Sequence, residues 1–265
     1  MKLLPYFLAE PFIPSTLIPA IQHQPPAGRA WIAPLRRPRA RTLARPVYVV
    51  FEGIDGAGTT THARLLAEKL RLLGYCVELV EEPSKDVVGG VIRHMLRHGP
   101  FHQDVLALLF AADRLLLQRS LEERLQGRSC IVVSDRSWIS SLAYQTCELF
   151  PYAVDADWVY IVNKYAWRPD ILVYIDVEPL IAFRRLASRG RVRELPETLA
   201  ALRALRESYR HVIQRVSRVV PVVLWVEGSR NGVEKPIDKL SREIAVRVLA
   251  AIKYSEHRGA LDSDE

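Results

Sequence analysis

Cysteine is scarce. Cys76, Cys130 and Cys147 are odd in number, and none stands in a C-x-x-C pair, so the spacing argues against both a disulfide framework and a zinc site. That usage fits a reducing cytoplasm. A membrane span is missing as well: the apolar stretch at residues 3–21 is broken by Pro5, Glu10, Pro11, Pro14 and Pro19, whereas a bilayer helix needs about 20 predominantly apolar residues in a row. Met1 and Lys2 ahead of residues 3–9 imitate a secretory leader, yet no small-residue cleavage pattern follows. There is no internal repeat. An even spread of charge is also lacking. Residues 1–45 hold Lys2, Arg29, Arg36, Arg37, Arg39, Arg41 and Arg45 against Glu10, which accounts for six of the seven net positive charges. The basic balance therefore describes one segment and not a nucleic-acid-binding body. Residues 1–45 are expected to be a flexible proline- and arginine-rich extension, 46–253 the folded domain and 254–265 an acidic tail. The end of the extension, RRPRARTLAR, has the composition of a segment that touches nucleic acid or acidic lipid, although a solvated stretch is the plainer reading.

What is present centres on VYVVFEGIDGAGTTT, Val47 to Thr61. Val47 to Phe51 form a short β-branched and aromatic run that reads as a buried parallel strand. From Thr60 onward Ala63, Leu65, Leu66, Leu70 and Leu73 fall at helical spacing. Strand, glycine-rich loop and helix in that order make an anion site, because Gly53, Gly56 and Gly58 let backbone N–H groups turn inward and the helix start adds its dipole. The spacing from Gly53 to Thr60 matches G-x-x-x-x-G-K-[ST] with one exception: Thr59 stands where the lysine belongs. The whole loop, Gly53, Ile54, Asp55, Gly56, Ala57, Gly58, Thr59, Thr60 and Thr61, is a candidate ATP site.

Further along, strands are predicted at Cys76 to Val80, Cys130 to Val133, Ile171 to Ile175 and Val222 to Val226. Helices are predicted from Val87 to about Arg97, from Asp104 (as the cap) to about Gln126, through Tyr144, and near Asp155 to Tyr165. The second of these carries leucine and alanine around most of its circumference and is expected to be buried. Asp135 follows a strand end, where a magnesium-directed carboxylate would sit opposite the loop. Arg184, Arg185, Arg189, Arg191 and Arg193, broken by Gly190, suggest a mobile lid that closes on phosphates. The fold class is α/β: a doubly wound, five-stranded parallel sheet flanked by helices.

Several segments together resemble the archaeal and bacterial thymidylate kinases: FEGIDGAG at 51–58, EEP at 81–83, LLFAADR at 108–114, SDRSWISSLAYQ at 134–145 and RPDILVYIDV at 168–177. The resemblance implies transfer of phosphate from ATP to dTMP with Mg²⁺, in a cytoplasmic homodimer joined through the long leucine-rich helix. It implies that Phe110 stacks on thymine while Arg114, Ser141 and Gln145 meet its polar edge. Arg93 and Arg136 would hold the acceptor phosphate, Asp55 would face the sugar 3′-hydroxyl, and Tyr144 would crowd a 2′-hydroxyl. Asp55, Arg136, Arg189, Arg191 and Arg193 form the implied catalytic set, and Thr60 and Asp135 the metal pair. Two departures stand out, Thr59 for the lysine and Glu81 where a basic residue usually precedes Glu-Pro. They leave two alternatives open: a nucleotide-binding homologue with weakened turnover, and a kinase for another nucleoside or monophosphate.

Overall fold

Five short apolar runs become strands of one parallel sheet: β1 (Val47–Glu52), β2 (Val77–Glu81), β3 (Ile131–Asp135), β4 (Ile171–Asp176) and β5 (Val222–Glu227), in the order β2-β3-β1-β4-β5. The computed structural model describes residues 41, 43, 45–188 and 198–261, with side chains as far as residue 254. Every residue of β1, β3 and β4 is buried, as expected of strands covered on both faces. The covering helices are α1 (Thr59–Leu72), α2 (Val87–His98), α3 (Gln103–Leu125), α4 (Trp138–Gln145), α5 (Ala156–Val162), α6 (Pro179–Ser188), α7 (Leu199–Val216) and α8 (Ile237–Leu261). A two-stranded ribbon of β6 (Ser229–Arg230) and β7 (Val233–Glu234) precedes α8. Among the described residues no helix is long and apolar enough to cross a membrane.

The register sets the site. Phe51 of β1 lies beside Asp135 of β3, so the loops that leave these two strands emerge side by side at the carboxyl edge of the sheet, where ligands bind in such folds.

Some expectations are corrected. Cys76 and Cys130, flanking β2 and β3 at their amino ends, form a disulfide, and Cys147 is the free thiol. The odd count concealed a pair that only the adjacency of the two strands creates. Helix α3 is capped by His102 and not by Asp104. Nor is it buried all round, since Val105, Leu108 and Leu116 stand exposed in a stripe at helical spacing. The arginine run divides: Arg184 and Arg185 lie on α6, whereas Arg189, Arg191 and Arg193 lie outside the described residues. At the front edge, Arg41 and Leu43 belong with the domain. The Arg41 amide donates to the Gly74 carbonyl (3.0 Å), and Leu43 is buried in the core. Helix α8 also continues through Leu261, into the stretch expected to be tail.

Candidate active site

The glycines of the phosphate loop do what the spacing asks of them. Gly56 (φ +81°) and Gly58 (φ +96°) are left-handed, and a Cβ at Gly56 would stand 2.6 Å from the Ala182 carbonyl oxygen on α6. Helix α1 begins at Thr59 with Gly58 as its cap, no side-chain cap and no acidic residue in its first turn. Its first amides and dipole are therefore available to an anion. Outside the loop, Arg185 donates to the Gly56 and Ala57 carbonyls (3.0 and 3.3 Å), and Glu234 holds its other nitrogens.

Beside the loop lies a cavity of about 160 Å³, lined by Asp55, Phe110, Arg114, Arg136, Ser141, Tyr144 and Gln145 together with Glu82, Gln103 and Phe150. Segments far apart in sequence converge here: the loop after β1, the turn after β2, α3, and the stretch from β3 into α4. Arg114 is almost fully buried and fixed on three sides. Its Nε and Nη2 grip the Glu82 carboxylate (2.7–3.1 Å), Nη1 donates to Asn163 Oδ1, and Nη2 donates to Ser141 Oγ at 3.2 Å. Burial pushes the Glu82 carboxyl up, and Arg114 is the main influence opposing that. Gln145 donates through Nε2 to Gln103 Oε1 (3.3 Å), and its own Oε1 is buried without a partner. An unpaired buried acceptor in an apolar cavity is a place for a ligand N–H.

The cavity opens toward Arg136. This residue follows β3 with φ +78°, a left-handed backbone unusual for an arginine, and such strain gathers at functional sites. Its guanidinium donates to the Gly53 carbonyl, to Tyr209 Oη (2.8 Å) and to Asp55 Oδ1 (2.8 Å). Tyr144 Oη donates to the other Asp55 oxygen at 2.8 Å.

A second cleft, on the other side of the loop, is lined by Thr60, Arg64, Glu81, Lys85, Asp86 and Asp135. Thr60 and Asp135 thus meet as expected. Asp135 is buried, and its Oδ1 has no partner. No group of three His, Cys, Asp or Glu side chains converges on a metal site among the described residues. One carboxylate and one hydroxyl nevertheless suit magnesium, which keeps most of its shell as phosphate and water. Glu81 pairs with Lys85 at 3.4 Å, so a cation reaches this cleft from four residues further on.

The structure therefore brings Asp55, Phe110, Arg114, Arg136, Ser141, Tyr144 and Gln145 together. Arg93 stays at the rim: it donates to the Pro83 carbonyl (3.1 Å) and to the Ser84 carbonyl, and it does not line the cavity. Sequence reasoning missed Glu52, Glu82, Gln103 and Tyr209, and it read Arg185 as a lid residue where the structure has it donating to the phosphate loop's carbonyls. Glu82 was readable, being a carboxylate at the end of an apolar strand in the EEP segment. Tyr209 belongs to the apolar spacing Leu202, Leu205, Tyr209, Ile213, Val216, which marks a buried helix face but not a hydroxyl in a site.

A sequence model of the family described as thymidylate kinase matches residues 51–223. Relatives agree. A "Putative thymidylate kinase" of Aeropyrum pernix is 42% identical over 207 residues, covering 77% of this chain and 96% of the relative. A "Probable thymidylate kinase" of Methanococcus maripaludis is 36% identical over 198 residues, covering 74% and 92%. One of the same description from Methanothermobacter thermautotrophicus is 43% identical over 143 residues, covering 52% and 69%. The family match begins at Phe51 in β1, takes in the phosphate loop and both clefts and ends at Val223 in β5, and on that footing the chain belongs to the thymidylate kinase family.

Proposed function

We propose that the protein phosphorylates dTMP to dTDP with ATP as donor. The observation that carries this reading is the cavity beside the phosphate loop, in which Phe110, Arg114 and the unpartnered Gln145 Oε1 face one another. The Phe110 ring would stack on the base. Arg114, held rigid by Glu82, Asn163 and Ser141, would donate to a carbonyl of its polar edge, and Gln145 Oε1 would accept from the ring N–H. A base of the wrong pattern would leave these buried groups unpaired. Arg136 would hold the acceptor phosphate, with Arg93 reaching it from the rim. Asp55 would meet the 3′-hydroxyl, and Tyr144 would exclude a 2′-hydroxyl.

Donor phosphates would rest on the amides of Gly53–Thr61. Thr60 and Asp135 would hold magnesium when it arrives with ATP, and the ion would supply charge neutralisation for the donor phosphates. A dTMP phosphate oxygen then bonds the γ-phosphorus in line as the β–γ bridging bond breaks, so the protein's work is positioning and charge neutralisation. Arg189, Arg191 and Arg193 would close over the transferring group. The reading also places the protein in the cytoplasm as a homodimer, with the exposed stripe of Val105, Leu108 and Leu116 on α3 as the natural contact. Residues preceding the domain would be dispensable for the chemistry. A second reading, a nucleotide binder with weak turnover, is favoured by Thr59 alone.

Calorimetry on Phe110→Ala tests the base pocket. The dTMP affinity should fall about 10- to 100-fold, the range a lost aromatic stack on a base produces, while ATP affinity holds. Equal losses for both ligands would remove the assignment.

A further inference from the structure

Beneath the cavity, at the carboxyl end of β1, the Glu52 side chain is fully buried and accepts three hydrogen bonds: from Ser137 Oγ (2.7 Å), Ser140 Oγ (2.6 Å) and Tyr209 Oη (3.0 Å). Tyr209, equally buried on α7, is spent as a donor on Glu52 and presents its oxygen to Arg136 Nη1 at 2.8 Å. Arg136 Nη2 continues to Asp55. An unbroken line of hydrogen bonds thus runs from Glu52 through Tyr209 to the guanidinium that faces the cavity. Its direction is fixed, because an ionised carboxylate only accepts and a guanidinium only donates. The Tyr209 hydroxyl between them accepts from Arg136 and donates to Glu52, with Ser140 Oγ, 2.9 Å away, as a further partner.

From this geometry we infer that Glu52 and Tyr209 are positioning residues which hold the Arg136 guanidinium ready for the acceptor phosphate. The inference rests on the kinase reading and adds to it two residues that touch no substrate.

Protonating Glu52 would undo the arrangement. A neutral carboxyl has a proton of its own to donate, so one of the three hydroxyls, Tyr209 among them, must turn away or accept instead. Burial lifts this carboxyl to about 7, against the pull of Arg136 and the three hydroxyls. Charged and titratable groups face the network from several elements: Arg136 and Asp55 from the two loops, Tyr144 from α4, Tyr48 from β1, and Tyr174 from β4 stacked on Tyr209. All four tyrosines, Tyr209 included, are pushed up by burial and stay protonated near neutral pH.

The test is the dTMP and ATP affinity of the full chain carrying Tyr209→Phe or Glu52→Gln, read by calorimetry across pH. Phenylalanine keeps the stack on Tyr174 (5.7 Å) and the edge contact with Tyr144 (6.0 Å), so it deletes little besides the hydroxyl. Each variant should bind dTMP about tenfold more weakly, the worth of one hydrogen bond to a charged group, with ATP affinity within about twofold of wild type. The gap between variant and wild type should narrow as pH falls from about 8 to about 6, because only the wild type has a carboxylate–hydroxyl link to lose. The substrate phosphate titrates alike in all three proteins and cancels. If Tyr209→Phe does not fold, Glu52→Gln carries the same comparison, and failure of both to fold assigns the pair to the scaffold and overturns the inference. A folded variant whose dTMP affinity matches wild type, or one that weakens ATP equally, also overturns it. A wild type that binds no dTMP sinks the kinase reading and this inference with it.

Discussion

Replacing Arg189, Arg191 or Arg193 by alanine is expected to slow turnover by more than ~10², whereas Thr59→Lys should change it by less than about threefold. The reason lies in where positive charge stands around the phosphate loop. A donor γ-phosphate without the loop lysine lacks one preorganised charge, a loss of roughly 3 to 4 kcal/mol if nothing replaces it. His62, next to Gly58, is no replacement: burial first, then Arg185, pushes its imidazole down to about 4, so it is neutral at working pH. Arg185 donates to the loop's carbonyls, on the side opposite the inward-turned amides, and Glu234 partly offsets its charge. Arg136 is already held by Asp55 and Tyr209. Arg64 and Lys85 line the same cleft as Thr60, Lys85 already paired with Glu81, and the kinase reading favours the arginines of the 189–193 segment, since a lid supplies charge at the moment of transfer. Steady-state rates of the four single variants beside the wild type decide it. A wild type that binds dTMP but barely reacts, with Thr59→Lys raising the rate tenfold or more, would establish the weak-turnover reading instead.

Arg114→Met is expected to be the most destabilising single change in the cavity, at about 3 to 5 kcal/mol, because it strands the Glu82 carboxylate in the interior. Both side chains are essentially solvent-free, at 1% and 3% exposure, so water cannot take the place of the lost partner. Adding Glu82→Gln should return much of the stability, since replacing both members of a buried pair costs far less than removing one. It should not return dTMP affinity if Arg114 reads the base. The pH dependence has a definite sign. Burial already raises the Glu82 carboxyl, and losing Arg114 raises it further, so the proton is held more tightly in the folded than in the unfolded chain. The penalty in Arg114→Met should therefore be smallest below the ordinary glutamate range and grow as pH rises through the folded-state value. Melting curves of the single and double variants at acid and neutral pH read both effects. A penalty that is flat with pH would mean that Glu82 is not the group left stranded.

The sequence made the β1–loop–α1 unit legible because each signal there is local: a β-branched run, glycines at fixed offsets, then helical spacing. The base pocket was legible only through resemblance. Nothing in the periodicity of α3 separates Phe110 and Arg114, which face the cavity, from Leu108 and Leu116, which stand exposed. What stayed hidden depends on contacts between distant segments. Glu52 and Tyr209 lie 157 positions apart and meet only because α7 packs against α4 at the end of β1. The Cys76–Cys130 bond, 54 positions apart, required knowing that β2 and β3 are neighbours. Arginine content alone could not show that Arg184 and Arg185 lie near the end of a helix.

Supplying the purified full chain with ATP, Mg²⁺ and, separately, dTMP, dUMP, dCMP, AMP and GMP tests the central claim most directly. The account predicts that dTMP becomes dTDP with a kcat/KM at least ~10² above dCMP and AMP, which lack a ring N–H beside a carbonyl for Gln145 Oε1 and the Arg114 guanidinium, and about tenfold or more above dUMP, which shares that edge and lacks only the methyl group. Turnover with none of the five, or a preference for a different monophosphate, would contradict it.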